Sequence, residues 1–135
     1  MSKKLLQYML NNIKNALLKN KFLVKVPYTK LNLAILKLLY LENYINSYIL
    51  NDNDYSIIIV LKYLGLWKTK PLFNLLKLIS KKNNLIYTNY SKLLKNLNFL
   101  QYNVGLAIIS SSSGLITHYT AKKLKKGGEV LCYFQ

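Results

Sequence analysis

The 135 residues are 52% hydrophobic, enough to build one compact domain or two small lobes, and they carry a net charge of +16 from twenty basic residues against four acids. This excludes a disordered tail and points to a polyanionic partner, nucleic acid ahead of an anionic membrane surface, because cations that neutralise phosphates gain affinity by releasing counterions. The single cysteine, Cys132, excludes an intrachain disulfide and a Cys/His metal site, and no run approaches the roughly 20 apolar residues a membrane span needs.

Leu5-Leu6, Met9-Leu10, Ile13 and Ala16-Leu17 recur at three- and four-residue steps, which predicts an amphipathic helix over about 4–20. Phe22 to Val26 is strand-like and is expected to stop at Pro27, which cannot donate to a ladder. Thr29 is a candidate cap for a second helix through Leu33, Ala34, Leu38 and Leu41. "YINSYIL" and "YSIIIVLKY" flank "NDND", so 44–63 reads as an antiparallel hairpin whose Asn and Asp residues serve the turn.

Gly65 and Pro71 mark a break, and the lobes are expected at 1–66 and 67–135. "FNLLKLIS" and "NLIY" read as a second strand pair around a polar loop at 81–84, and Ser91 as the cap of a short helix, "KLLKNLNFL". A strand over 104–109, the serines Ser110 to Ser113 as a loop, a helix over about 117–125, a Gly127-Gly128 turn and a last strand over 129–134 complete the chain. The fold class is α+β: an N-terminal α-β-α-β-β lobe and a mixed, β-rich C-terminal lobe with short helices.

Every basic residue is Lys and none is Arg, while Asn, Ile, Leu, Tyr and Lys crowd the chain. Such a bias is expected of AT-rich coding DNA, common in organelle genomes. The chain enters its first helix with no evident transit peptide, which favours synthesis inside an organelle, a mitochondrion before a plastid or an AT-rich bacterial cytoplasm.

The serine run is the main candidate for function. A nucleophilic serine needs a base and an oriented acid, and His118 stands alone with no such acid, so an enzyme is not expected. A Walker-type phosphate loop needs a spaced glycine pair ending in lysine, which is absent. Two readings stay open. The hydroxyls serve a polar turn, or they form a recognition loop whose donors and acceptors meet base edges, ribose and phosphates of folded RNA. Lys122, Lys123, Lys125 and Lys126 follow on one helix and would contact phosphates.

Gly105-Leu106-Ala107-Ile108-Ile109-Ser110-Ser111-Ser112, Gly114, Thr117, Ala121 and Gly127-Gly128-Glu129-Val130-Leu131-Cys132-Tyr133 resemble the C-terminal signature of small-subunit ribosomal protein eight. Met9-Leu10, Ile13, Asn15, Val26-Pro27, Thr29-Lys30-Leu31, Leu61-Lys62-Tyr63 and Ile86-Tyr87 extend the resemblance over nearly the whole chain. It implies a two-lobe protein that binds the central domain of small-subunit ribosomal RNA and contacts neighbouring ribosomal proteins, with no cofactor, metal or small-molecule substrate. By position it implies that Ser110, Ser111 and Ser112 read an irregular RNA internal loop, that Gly114 permits close approach, that Tyr87 packs its ring on RNA and that Lys30, with Thr29, meets the backbone. Gly127, Gly128 and Glu129 fall in the same signature. The chain departs from the family in having Lys or neutral residues at its usual Arg positions, which removes bidentate forks. A second class of function, a basic peripheral membrane protein lying on lipid through its N-terminal helix, is distinguished by liposome binding without RNA.

Overall fold

A computed structural model describes residues 2–65, 67, 70–71, 76–78, 87–89, 92 and 105–134. Two compact units divide the chain, Met1–Asn74 and Leu75–Gln135. Helices mix with antiparallel sheets, an α+β fold.

In the first unit, helix α1 (Ser2–Leu18) keeps the periodic stripe inside: Leu6, Met9, Leu10, Ile13, Ala16 and Leu17 are buried, with α1 packed on strand β1 (Leu23–Pro27) and on helix α2 (Lys30–Leu41). Burying one such side chain contributes about 1.5–3 kcal/mol, so the stripe is a substantial stabiliser of the unit. Thr29 caps α2 as its position predicts, its Oγ1 accepting from the Asn32 N–H at 3.0 Å. Strands β2 (Ile45–Asn51) and β3 (Ser56–Leu61) form the expected hairpin, and β3 lies in the middle of a three-stranded sheet, β1-β3-β2. Pro27 does not end β1 but closes it, opposite Ser56. As β1 is an edge strand, a residue without an N–H is tolerated there. The turn acid Asp54 reaches outside its own turn, accepting from Lys25 Nζ of β1 at 2.8 Å. Two short strands, β4 (Tyr63–Leu64) and β5 (Lys70–Pro71), pair antiparallel.

The second unit is organised by its last strand. Strand β10 (Gly128–Phe134) pairs with β8 (Leu106–Ser111) on one edge; on the other it takes β6 (Leu76–Leu78) and β7 (Tyr87–Thr88) at successive stretches. Most of the expected pair of "FNLLKLIS" with "NLIY" lies outside the described residues; the described part of each segment, Leu76–Leu78 and Tyr87, pairs with β10. Periodicity identifies a strand but not its partner. Strand β9 (Gly114–Thr117) pairs with β8, and helix α3 (His118–Leu124) follows directly, with Thr117 as its cap. Leu106 to Ile109 are all buried, as the continuous apolar run of a strand covered on both faces requires. A bulge between Val130 and Cys132 lets Val130, Leu131 and Cys132 all be buried. Of the helix expected after Ser91, Lys92 is helical; the rest, with the stretch 96–103, lies outside the described residues.

Candidate nucleic-acid interface

The serine run is not a loop between a strand and a helix. Ser110 and Ser111 are the last residues of β8, Ser112 and Ser113 form a two-residue turn, and Gly114 opens β9 in register with Ser111. Ser112 and Ser113 keep negative φ, and the positive φ that lets the strands reverse falls on Gly114, at +107°. A Cβ there would meet nothing within 4 Å, so the glycine is required by its backbone conformation. The alternation of Gly114-Leu-Ile-Thr117 after a Ser-Ser-Gly turn is a hairpin signal that was present in the sequence.

The serines differ in what their hydroxyls already do. Ser111 Oγ donates to the Gly114 carbonyl at 3.0 Å, accepts from the Ser113 N–H at 3.3 Å and lies 3.1 Å from Ser113 Oγ. It holds the turn. Ser112 is exposed at the tip, with no recorded bond of its own.

Register assembles the other candidates. Glu129 stands opposite Tyr87 on one side and Ser110 on the other, and Ser110 stands opposite Leu115. Directly opposed residues share a face, so Tyr87, Glu129, Ser110 and Leu115 form one row across four strands. Tyr87 is 67% exposed and the other three are half-buried. The neighbouring row, Val130, Ile109 and Ile116, points the opposite way and packs with Ala121 of α3. Lys122 and Lys123, exposed in the last turn of α3, thus belong to the helical side and not to the serine row. Thr29 and Lys30 are in the first unit, the hydroxyl spent on its cap and Lys30 exposed.

Gly127 and Gly128 have a packing reason. A Cβ on Gly128 would lie 2.3 Å from the Ser110 carbonyl oxygen, and one on Gly127 2.5 Å from that of Thr88. Contact this close leaves no room for a side chain whatever the partner.

His118, which the sequence leaves without an acid to orient it, is buried as the first residue of α3, its Nδ1 accepting from the Ala107 N–H at 3.1 Å. That bond requires an unprotonated Nδ1, which leaves the proton on Nε2, a buried atom with no recorded partner. Burial, with the positive charge of Lys122, pushes its pKa down to about 4. The ring packs on Tyr119 at 3.8 Å between centroids. Nothing in the sequence distinguishes this structural histidine from an exposed one. Burial likewise pushes the Cys132 thiol up to about 12, which makes it an inert core group.

The family model described as ribosomal protein S8 matches residues 5–134. The chain belongs to the ribosomal protein S8 family. A protein of Phaeodactylum tricornutum named small ribosomal subunit protein uS8c is 39% identical over 128 residues, covering 93% of this chain and 92% of that one. One of the same name from Gracilaria tenuistipitata var. liui is 41% identical over 127 residues, with the same coverage. Small ribosomal subunit protein uS8 of Buchnera aphidicola is 37% identical over 126 residues, again covering 93% and 92%. S8 proteins are structural components and not enzymes, in keeping with the expectation drawn from the isolated histidine.

Proposed function

We propose that the chain is a structural constituent of a small ribosomal subunit that binds the central domain of its ribosomal RNA and contacts neighbouring ribosomal proteins. The observation that carries the RNA reading is the β8–β9 hairpin: Ser112 stands free at its tip, beside a row that ends in the exposed ring of Tyr87. Ser112 reads an irregular RNA loop, Ser110 and Ser111 hold and border it, and Tyr87 stacks on an accessible base or ribose. Gly114 shapes the tip, and Gly127, Gly128 and Glu129 bring β10 against the hairpin. Lys122 and Lys123, with Lys30 and Thr29 of the first unit, serve the phosphate backbone. The second unit, with the lobe expected from residue 67 onward, is the RNA-binding lobe.

The compartment we propose is the mitochondrion, on the strength of an AT-rich composition with twenty Lys and no Arg. The two algal relatives carry the plastid-type name uS8c, which favours a plastid as the second reading. Sedimentation of the native protein from purified mitochondria and purified plastids tests both parts. Recovery with the small subunit of one organelle supports the function and decides the compartment, and recovery free of ribosomal RNA in each overturns it. The lipid alternative loses its basis, because the apolar stripe of α1 is buried inside the protein. Among the described residues no helix is long and apolar enough to cross a membrane.

A further inference from the structure

Among the described residues four non-glycines hold positive φ. Asn20 and Asn43 follow α1 and α2, and Lys125 caps α3, each where a left-handed residue is a common way to stop a helix. Tyr55, at φ +47°, is different: it ends the β2–β3 turn, at a position where Asn or Gly costs less than an aromatic residue. Codon bias does not select it, since Asn is as AT-rich a choice as Tyr and stands twice in the same stretch, at Asn51 and Asn53. Packing does not select it either. The residue is 80% exposed.

A second exposed tyrosine is joined to it through the backbone. The Tyr28 N–H donates to the Tyr55 carbonyl at 2.9 Å, directly beyond the last ladder pair of β1 and β3, Pro27 with Ser56, and Tyr28 is 42% exposed. The charge here departs from the rest of the chain. Residues 25–28 and 51–56 contain one lysine and two aspartates, half of all the acids in a molecule of net charge +16, and Thr29 and Lys30, given above to the phosphate backbone, lie just beyond them. Asp54 is tied to Lys25, and Asp52 is exposed without a recorded partner. RNA-binding surfaces are strongly basic, whereas protein interfaces are charge-depleted at their centres and rich in tyrosine.

We propose that Tyr28 and Tyr55, with Asp52 at their border, form a docking surface for a neighbouring ribosomal protein and not for RNA. The occupant is a segment that sets Lys or Arg against the ring faces and Asp52, the one chemistry a weakly acidic, tyrosine-bearing patch attracts more strongly than does the basic remainder of the chain. This rests on the ribosomal reading above. The strain at Tyr55 is retained because the ring is needed outside the molecule.

The test uses the full chain with Tyr55→Asn, Tyr28→Ser and, as a control that keeps the ring, Tyr55→Phe. Tyr55→Asn is expected to unfold at the same or a higher temperature and to bind a small-subunit ribosomal RNA transcript within twofold of the unaltered protein. Its incorporation into small subunits, in competition with the unaltered protein, falls about tenfold, while Tyr55→Phe incorporates normally. A p-benzoylphenylalanine photo-crosslinker at position 55 joins a basic ribosomal protein in assembled subunits, and Tyr28→Ser weakens the product. Loss of transcript binding by Tyr55→Asn, or a crosslink to RNA, overturns the assignment in favour of an RNA contact. Normal incorporation with no crosslink overturns the docking surface altogether. If the unaltered protein fails to enter small subunits, the ribosomal reading itself falls, which separates the two failures.

Discussion

Ser111 and Ser112 are chemically identical neighbours with opposite employment. Ser111→Ala removes a donor to Gly114 and an acceptor for Ser113, so it is expected to lower hairpin stability by about 1 kcal/mol. Ser112→Ala removes nothing from the fold. Thermal unfolding of the second variant should match the unaltered protein, while its preference for cognate RNA over a fully paired control falls about fivefold. Equal loss of stability in both would show that the tip hydroxyl also serves the turn. His118 offers a second measurement. Its folded pKa of about 4 lies below the ordinary 6.5, so folding favours the neutral ring. That contribution is complete above pH 6.5 and is lost as pH falls toward 4, by a total of about 3 kcal/mol. Unfolding temperature should therefore drop between pH 7 and 4.5, and drop less in His118→Gln; identical pH profiles would remove the histidine from the account.

At the scale of elements, legibility followed sequence distance. Both long helices, the Thr29 cap and the β2–β3 hairpin were readable because each rests on residues within a few positions of one another. The partners of β6 and β7 were not, because they are tens of residues away on β10. Strand β9 is short, and the serine run invited a loop. Of the candidate interface, the sequence suggested residues, but the division of serine row from lysine helix came only with strand register. Gly127 and Gly128 read in the sequence as a turn; where β10 begins they are a seam between three strands. Gly128→Ala would force a methyl group onto the Ser110 carbonyl, and a destabilisation of about 2–3 kcal/mol is expected. Unfolding should shift strongly. An unshifted transition with weakened RNA binding would instead give Gly128 a direct contact.

For the whole molecule, twenty lysines against four acids set the terms of association. Lys meets phosphate as a point charge, without the fork of Arg, so affinity here depends on number more than on geometry. If about five phosphates are neutralised, log K should fall against log salt with a slope of roughly −4.5 on duplex RNA, by analogy with the −0.9 per phosphate of DNA. Titration across monovalent salt checks this, and a slope near zero would mean that contacts other than charge dominate. Strand β10 carries a consequence for the order of synthesis. It is the shared partner of β6, β7 and β8, yet it leaves the translating ribosome after all of them. Until Gly128 and its successors emerge, three strands of the second unit present open edges, the state in which nascent chains are prone to mispairing. A protein of a ribosomal family thus depends on a ribosome to release β10 before its own sheet can close.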